Sequence, residues 1–242
     1  MRIAVLSDIH GNLIGLDACL ADLNAQGGAD AIVAAGDLCL DGPKPKKVLQ
    51  RLQELGAQCV RGNTDRYLAD SGGERLTAAE HAQIAWTRKE LGEQQLAWLH
   101  DLPFALRIGE EGNELLVVHA NPLTDDEHVW PDADDETLER FFGHERATAI
   151  AFGHLHIPYA RIWRGKLLVN VSTAGLPKDG DPRVGYAIFT ERDGGWQVKH
   201  RRVVFDVKRV ATQLADCGIP ESGELIATLR RHRYKRLKST IP

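Results

Sequence analysis

Two histidines follow an apolar run in the stretch AIAFGHLHIPYA, where one residue separates His154 from His156. A neutral imidazole is a good ligand for divalent transition metals. In a chain with 10 histidines, however, an isolated H-x-H pair is more often ordinary surface chemistry than a metal site. The pair becomes informative only if other metal-ligating side chains stand at equivalent positions elsewhere in the chain.

Polar side chains with metal-binding chemistry also follow four other short apolar runs. They are Asp8 and His10 after the first run, Asp37 after the second, Asn63 and Asp65 after the third, and His119 after LLVV. One or two such coincidences are unremarkable, but five runs that each end in Gly, Asp, Asn or His are hard to obtain by chance. These positions therefore indicate one site built at the ends of several strands.

The residue types suit two metal ions better than one. Carboxylate oxygen, amide oxygen and neutral imidazole favour borderline divalent metals such as Mn, Fe, Zn or Co. The seven candidate ligands are too many for one tetrahedral zinc and too rich in nitrogen for calcium or magnesium. Two ions that share a bridging carboxylate fit the count, and ions about 3.5–4 Å apart can hold a phosphate ester for in-line attack. The seven are Asp8, His10, Asp37, Asn63, His119, His154 and His156.

Alternating strands and helices in the first half of the chain would bring these residues together. IAVLS and AIVAA are typical of buried strands, and a second helix is predicted over about residues 45–56. The alternation recurs about every 30 residues and predicts parallel strands with right-handed crossovers. Ligands bind at the carboxyl ends of strands in such sheets. The first helix is indicated by the spacing of Leu13, Leu16, Leu20 and Leu23.

Two regions depart from this alternation. Residues 66–103 contain no strand pattern and predict a helical insertion of two helices, with Thr77 as a plausible N-cap. Residues 206–242 predict two C-terminal helices that end in a basic segment. Between these regions, hairpin patterns make the second half of the chain more antiparallel than the first. Because no repeat or clear linker is visible, we expect residues 1–242 to form a single domain.

Composition excludes several classes of protein. The chain has 242 residues, 43% of them hydrophobic and 26% charged, which is typical of a globular protein. A net charge of -4 gives no general attraction to nucleic acid, and no apolar run approaches the roughly 20 residues of a membrane helix. The first ten residues make a poor signal peptide, and the four cysteines show no C-x-x-C spacing. We therefore expect a cytoplasmic protein with reduced thiols.

The order of the motifs resembles that of the calcineurin-like metallophosphoesterases. Their pattern of D-x-H, G-D, G-N, a strand-terminal H and G-H-x-H is matched here in the same order by the seven candidate ligands. The resemblance extends to GDLCLDGPKP, to AWTRKELGEQQLAWLHDLP, which is similar to an insertion of a bacterial and archaeal subgroup, and to NVSTAGLPKDGDPRVGYAIF. It covers nearly the whole chain.

This resemblance implies a fold and a site. The fold would be α/β of mixed α+β character, a four-layer αββα sandwich in which helices flank two mixed sheets. One divalent metal would take Asp8, His10 and His156, the other would take Asn63, His119 and His154, and Asp37 would bridge them. Manganese is the first expectation for both ions, with Fe, Zn, Co or Ni as alternatives. Hydroxide between the ions would attack the phosphorus of a small phosphodiester or phosphomonoester, and the residues implied as catalytic are Asp37, Asn63, His119 and His154.

The chain departs from the family pattern at the third motif. Efficient monoester phosphatases of the family often carry G-N-H there, whereas this chain has Thr64. A threonine hydroxyl can donate a hydrogen bond but cannot release a proton near neutral pH. We therefore expect a bias toward phosphodiesters or activated esters, or a proton donor recruited from elsewhere. Asn63, Thr64 and Arg66 are the candidate substrate-binding residues.

Several simpler interpretations stay open from the sequence alone. Asp8 could cap the helix that follows it, and Asn12 is better explained as a structural residue than as a ligand. Asp65 and Arg66 could form a structural ion pair. His81 and His128 could each reach over the site, but we favour the interpretation of both as solvated surface histidines. We interpret DDEHVWPDADDE as a solvated loop and the terminal RRHRYKR as a solvated basic helix end.

The function and assembly also have alternatives. The fold could be kept in a binding or scaffold protein that has lost turnover, although seven intact ligand positions argue against this. The absence of D-R-G after the second motif lowers the expectation of a phosphoprotein substrate. Apolar residues of the 66–103 insertion could form a lid over the site, the interface of a homo-oligomer, or both.

Overall fold

The structure is a computed structural model that describes residues 1–71 and 76–233. Its strands are β1 (Arg2–Leu6), β2 (Ala31–Ala35), β3 (Gln58–Val60), β4 (Ala105–Ile108), β5 (Leu115–Val118), β6 (Ala149–Phe152), β7 (Tyr159–Trp163), β8 (Lys166–Asn170), β9 (Val184–Arg192) and β10 (Gly195–Val203). Its helices are α1 (Leu13–Ala25), α2 (Pro45–Glu54), α3 (Asn63–Ala69), α4 (Ala78–Leu91), α5 (Glu93–His100), α6 (Asp135–Phe142), α7 (Val207–Asp216) and α8 (Ser222–Arg231).

The strands form two five-stranded mixed sheets. The first has the order β10-β9-β1-β2-β3, in which β1, β2 and β3 are parallel and β9 pairs antiparallel with both β1 and β10. The second has the order β4-β5-β6-β8-β7, with β5, β6 and β8 parallel. Strands β4 and β7 pair antiparallel at its two edges.

Three clusters of buried apolar residues define four layers. The cluster between the sheets includes Val5 and Val33 of the first sheet and Val117 of the second. A second cluster packs the outer face of the first sheet against α1, α2 and helices of the insertion and C-terminal region. The third packs the outer face of the second sheet against α6 through Phe141 and Phe142. The predicted αββα sandwich of two mixed sheets is therefore confirmed.

Local sequence explains where several helices begin. The Asn12 side chain caps α1 by accepting a hydrogen bond from the Gly15 N–H at 2.9 Å. Thr77 caps α4 in a reciprocal capping box with Glu80. Pro45 stands at the start of α2, where its missing N–H costs no helical hydrogen bond.

Two differences from the sequence-based expectations concern the third motif and the sheet edges. Asn63 opens a seven-residue helix, α3, which the sequence pattern did not predict because the segment is too short to show helical periodicity. The candidate ligands also follow strands of both sheets rather than the edge of one. The helical insertion is present as α4 and α5, and α7 and α8 lie within the predicted C-terminal region.

Other expectations fall partly outside the described residues. Residues 234–242, which include the end of the basic RRHRYKR segment, lie outside them, as do residues 72–75 of the insertion. The single-domain assignment of residues 1–242 and homo-oligomerisation through residues 66–103 stay predictions. In the described parts of the chain, no helix is long and apolar enough to cross a membrane.

Candidate metal centre

The seven candidate ligands converge where five strands of the two sheets end. Asp8 and His10 follow β1, Asp37 follows β2 and Asn63 follows β3, all in the first sheet. From the second sheet, His119 follows β5, and His154 and His156 follow β6. Within the described residues, their ligand atoms form two groups of a size that could each hold a metal ion, namely Asp8, His10, His156 and Asp37, His119, His154.

The first group joins both sheets. The His156 Nε2 lies 3.1 Å from Asp8 Oδ1 and 3.3 Å from the His10 Nε2. The Nδ1 atoms of both histidines point away from the group, at 3.0 Å from the Leu40 carbonyl oxygen for His10 and 2.6 Å from the Leu176 carbonyl oxygen for His156. All three ligand residues are buried.

The second group has the same construction. The His119 Nε2 lies 3.2 Å from the His154 Nδ1 and 3.1 Å from Asn63 Oδ1. On the outer side of the rings, the His119 Nδ1 is 2.8 Å from the Ala35 carbonyl oxygen, and the His154 Nε2 is 3.0 Å from that of Asp126. Asn63 therefore lies beside this group and not beside the first.

Asp37 lies between the two groups. Its Oδ1 is 3.3 Å from the His119 Nε2, and its Oδ2 is 3.7 Å from the His10 Nε2. The Thr64 N–H donates a hydrogen bond of 3.0 Å to Oδ1. One carboxylate thus presents one oxygen to each group.

The hydrogen bonds on the outer side of each ring show that these groups fit cations. A carbonyl oxygen can only accept, so each outer nitrogen carries the ring proton and each inner nitrogen of a neutral ring is a lone pair. The inner nitrogens of His10 and His156 then face each other with no proton between them. Asp8 Oδ1, beside them, is buried and has no hydrogen-bond partner among the described residues. Lone pairs that converge in this way repel one another unless a positive charge lies between them.

The electrostatics of the second group also favour a positive charge. Burial disfavours a charged His119, but the carboxylates of Asp37 and Asp8 outweigh it and raise the pKa of His119 to about 10. Burial and the neighbouring His119 lower the pKa of His154 to about 3. Without metal, this group therefore attracts a single proton at the place where its ligand atoms converge.

The backbone around the site is strained. Non-glycine residues rarely adopt positive φ because their Cβ atoms clash with the backbone. Such strain concentrates at functional sites, where the surrounding structure holds it in place. Five of the seven candidate ligands have positive φ, namely Asp8 (52°), His10 (48°), Asp37 (55°), His154 (63°) and His156 (59°).

Gly153 allows the two sheets to approach each other at the site. A Cβ built on Gly153 would collide with Ser7 Oγ and Asp8 Oδ2. The adjacent His154 N–H donates a hydrogen bond of 2.9 Å to the same Asp8 Oδ2. The G-H-x-H motif therefore needs glycine so that Asp8 can reach the backbone that carries both histidines.

Asp65 holds two of the site loops together. Its carboxylate accepts hydrogen bonds from the backbone N–H groups of Asp37 (2.8 Å), Leu38 (2.9 Å) and Gly62 (3.0 Å). This cradle fixes the loop after β2 to the loop after β3. The ion pair considered for Asp65 and Arg66 is absent from the described contacts, because Asp65 binds backbone amides and Arg66 has another partner.

That partner is Asp125, in the acidic segment before α6. The Arg66 Nε and Nη2 each donate a hydrogen bond of 2.8 Å to Asp125, and Nη2 is 3.5 Å from Asp126 Oδ2. The Arg66 guanidinium therefore holds the segment whose Asp126 carbonyl orients His154. The structure shows Arg66 paired with Asp125. Contact between Arg66 and substrate stays a prediction.

The interpretation of His128 as a solvated surface residue is wrong. Its ring centroid lies 4.3 Å from that of His154, and it stacks on Trp130 at 5.7 Å. Burial lowers the pKa of His128. The sequence placed His128 in an acidic stretch with no periodicity, so only the tertiary fold of that stretch shows that it covers the site. His81 is exposed on α4, in agreement with the interpretation from sequence.

Asn12, and not Asp8, caps the helix that follows the first motif. Its amide also donates a hydrogen bond of 2.8 Å to the Gly175 carbonyl. The structural interpretation of Asn12 is thus confirmed. Asp8 is left to face His156 and the backbone of His154.

Comparison with known proteins agrees with the fold and the motifs. A family model described as the calcineurin-like phosphoesterase superfamily domain matches residues 1–194. The chain belongs to the calcineurin-like phosphoesterase superfamily, and its class is that of a phosphoric ester hydrolase. The resemblance found in the order of its sequence motifs is therefore confirmed.

Individual relatives resemble the chain over most of its length. An uncharacterized protein of Methanocaldococcus jannaschii is 29% identical over 237 residues, covering 90% of this chain and 94% of the relative. The phosphodiesterase YfcE of Escherichia coli is 28% identical over 193 residues, covering 75% and 84%. The crystal structure of a metallophosphoesterase from Sphaerobacter thermophilus is 26% identical, covers 96% of this chain and 99% of its own, and superimposes with a TM-score of 0.78.

Proposed function

We propose that this protein is a cytoplasmic dinuclear phosphoesterase that hydrolyses a small phosphodiester in preference to a phosphomonoester. The observation that carries the proposal is that two groups of potential metal-ligand atoms lie on either side of the Asp37 carboxylate. One ion would be held by Asp8, His10 and His156, the other by Asn63, His119 and His154, with Asp37 between them. Manganese is the metal we test first, and similarity to a phosphodiesterase supports the choice of substrate class.

The chain's own residues would orient the metal ligands. When bound, two divalent ions supply Lewis-acid activation of water and neutralise charge on the phosphate oxygens. Backbone carbonyls hold the four imidazoles in the tautomer that presents a lone pair inward. Asp65 fixes the backbone of Asp37 by accepting from its N–H, and the Thr64 N–H orients the Asp37 carboxylate. These contacts would hold the site in place before substrate arrives.

The preference for diesters rests on Thr64. Its hydroxyl oxygen is buried and has no hydrogen-bond partner in the described parts of the chain. A hydroxyl in that position cannot protonate a poor leaving group near neutral pH. We therefore expect esters with good leaving groups to react well and alkyl phosphomonoesters to react slowly.

The proposal is tested by metal reconstitution. Protein stripped with a chelator is titrated with Mn²⁺ by calorimetry, then assayed on bis(p-nitrophenyl) phosphate and on phenyl phosphate, a monoester with a poorer leaving group. We expect two ions per chain and metal-dependent hydrolysis, with the diester cut faster than the monoester. No hydrolysis of either ester with Mn, Zn, Fe, Co or Ni would favour a scaffold protein, and a faster monoester reaction would contradict the diester preference.

A further inference from the structure

A cavity adjoins the metal centre on the side of the first sheet's helices. Its volume is about 460 Å³, within the range of roughly 300–1,000 Å³ typical of small-molecule sites. Asn63 and Thr64 line it, so it opens directly beside the third motif.

The insertion and the C-terminal region supply the walls of this cavity that face away from the metal loops. Glu80, Gln83 and Ile84 come from α4, and Leu225 and Thr228 come from α8. The Gln83 side chain joins the two regions by donating a hydrogen bond of 3.1 Å to the Pro220 carbonyl, just before α8. Two segments distant in sequence are therefore held together over the candidate metal centre.

The chemistry of the lining is divided between apolar and acidic groups. Tyr67, Ile84 and Leu225 offer apolar surface, on which a ring can pack. Asp41 and Glu80 are carboxylates that accept hydrogen bonds from hydroxyl or amino groups. Such a pocket suits an organic group with an apolar ring face and several hydrogen-bond donors.

Lys178 is a basic side chain of this pocket that lies within electrostatic reach of the candidate metal ligands Asp8 and Asp37. It lines the cavity, and its pKa is lowered by burial while the carboxylates of Asp8, Asp41 and Asp37 act in the opposite direction. A lysine ammonium is a strong point charge for phosphate oxygens. The phosphate would thus lie at the Lys178 end and the organic group farther along the cavity.

We propose that this cavity binds the organic group that is esterified to the substrate's phosphate. That group would be an apolar ring that carries hydroxyl or amino hydrogen-bond donors. This inference rests on the proposed phosphoesterase function. The insertion then serves substrate selection, and the α4 residues that line the cavity are part of the binding site.

The pocket is tested by the binding of two alkyl phosphomonoesters, which the enzyme should hydrolyse only slowly. Thymidine 5′-monophosphate carries a ring and a hydroxyl, whereas methyl phosphate carries neither, and both are titrated into Mn²⁺-loaded protein by calorimetry. We expect the nucleotide to bind at least about tenfold more tightly. Thr228→Trp, which fills the cavity from α8, should reduce nucleotide affinity to that of methyl phosphate and leave methyl phosphate affinity unchanged.

If Thr228→Trp disturbs folding, Glu80→Gln, which removes a charge from the cavity lining, still tests the proposal. Glu80→Gln keeps a side chain that can complete the capping box of α4, and should weaken nucleotide binding about three- to tenfold. Glu90→Gln makes the same change on the same helix at a residue outside the cavity lining, and should have no effect. Equal affinity for the two phosphates, or equal effects of the two glutamine variants, would overturn the proposal.

The two proposals fail separately. Metal-dependent hydrolysis of bis(p-nitrophenyl) phosphate without nucleotide preference would remove the pocket assignment and leave the phosphoesterase function. Nucleotide preference that Thr228→Trp abolishes, in a protein without hydrolytic activity, would keep the pocket and remove the catalytic function.

Discussion

Asp37 and its surroundings show how single residues make this site. Its two carboxylate oxygens face histidines of different groups, at 3.3 Å and 3.7 Å. An asparagine at this position offers one oxygen and an amide NH₂ that cannot bind a cation. The position therefore requires a carboxylate if two ions are to be held side by side.

Asp37→Asn should abolish hydrolysis and reduce metal binding from two ions per chain to one or fewer. The measurement is calorimetric titration with Mn²⁺ alongside the diester assay. Asp126→Asn is the matched control, because the Asp126 carboxylate lies near the site but is 54% exposed. Two ions and full activity in Asp37→Asn would disprove the bridging assignment.

Thr64→His should raise hydrolysis of phosphomonoesters relative to diesters. An imidazole beside the cavity could protonate a leaving oxygen near neutral pH, which a hydroxyl cannot do. General acid catalysis typically contributes about 10²–10⁴-fold, so we expect at least a tenfold change in the ratio of kcat/KM values for phenyl phosphate and bis(p-nitrophenyl) phosphate.

Thr64→Val is the control for this change. It removes the hydroxyl but keeps the shape, and should leave the monoester to diester ratio unaltered. A ratio that moves equally in both variants would show that the Thr64 hydroxyl itself takes part in the reaction.

The strands place the ligands, and the loops after them fix the ligand orientation. The loops after β1, β2 and β6 carry five candidate ligands with positive φ. Glycine lets these turns approach one another where a side chain would collide, most clearly between β6 and β1. The close approach of these strand ends therefore depends on the small size of the glycine residues between them.

Gly153→Ala should destabilise the fold and weaken metal binding. Its Cβ would enter the space of Ser7 Oγ and Asp8 Oδ2, and overpacking of this kind costs about 1–3 kcal/mol. Urea denaturation of the metal-free protein measures the free energy of unfolding, and calorimetry measures Mn²⁺ affinity.

Gly195→Ala provides the comparison for Gly153. This glycine begins β10, and a Cβ there would meet nothing within 4 Å. We expect a change in the free energy of unfolding within about 0.5 kcal/mol. If the two alanine variants were equally stable, the close approach inferred at Gly153 would be incorrect.

Ion pairs far from the site hold the layers of the molecule together. Arg201 of β10 donates two hydrogen bonds, of 2.8 and 2.7 Å, to Asp22 of α1, and Tyr186 of β9 donates a third of 2.9 Å. The Arg201 hydrogen bonds lower the pKa of Asp22 despite its partial burial. An aspartate with a lowered pKa stabilises the folded state above its ordinary value of 3.8, and that stability is lost as the pH falls below it.

Asp22→Asn should therefore lower the Tm at pH 7 by about 2–4 °C, which corresponds to about 1 kcal/mol for a chain of this size. The difference from the wild type should narrow as the pH falls below about 4. Thermal unfolding of chelator-treated protein between pH 3 and 7 measures both effects without a contribution from metal.

Asp193→Asn is the comparison for this experiment. The Asp193 side chain is 88% exposed in the β9–β10 turn, where asparagine also tolerates the positive φ of 52°. Its Tm should follow that of the wild type at every pH. A constant difference between Asp22→Asn and wild type across this range would show that the Asp22 charge does not contribute to stability.

Much of this protein could be predicted from its sequence, because the periodicity of apolar residues and the chemistry of strand-terminal residues are local properties. Nearly all strands and helices, the Thr77 cap and the αββα sandwich follow from them or from the resemblance that the motif order reveals. The short helix α3 escaped prediction because seven residues carry too little periodic signal. The partner of Arg66 and the position of His128 escaped because the acidic segment folds only through tertiary contacts.

The sequence alone determined that His154 and His156 stand together at the end of one strand, and which residue types elsewhere in the chain could bind a metal with them. The tertiary structure decided their neighbours, with His156 beside Asp8 and His154 beside His119. It also decided which nitrogen of each ring faces inward, through the backbone carbonyls of Leu176 and Asp126, which lie outside the metal-ligand motifs. The reason is physical: residue type fixes which atoms can bind a cation, but only the packed backbone fixes where their lone pairs point.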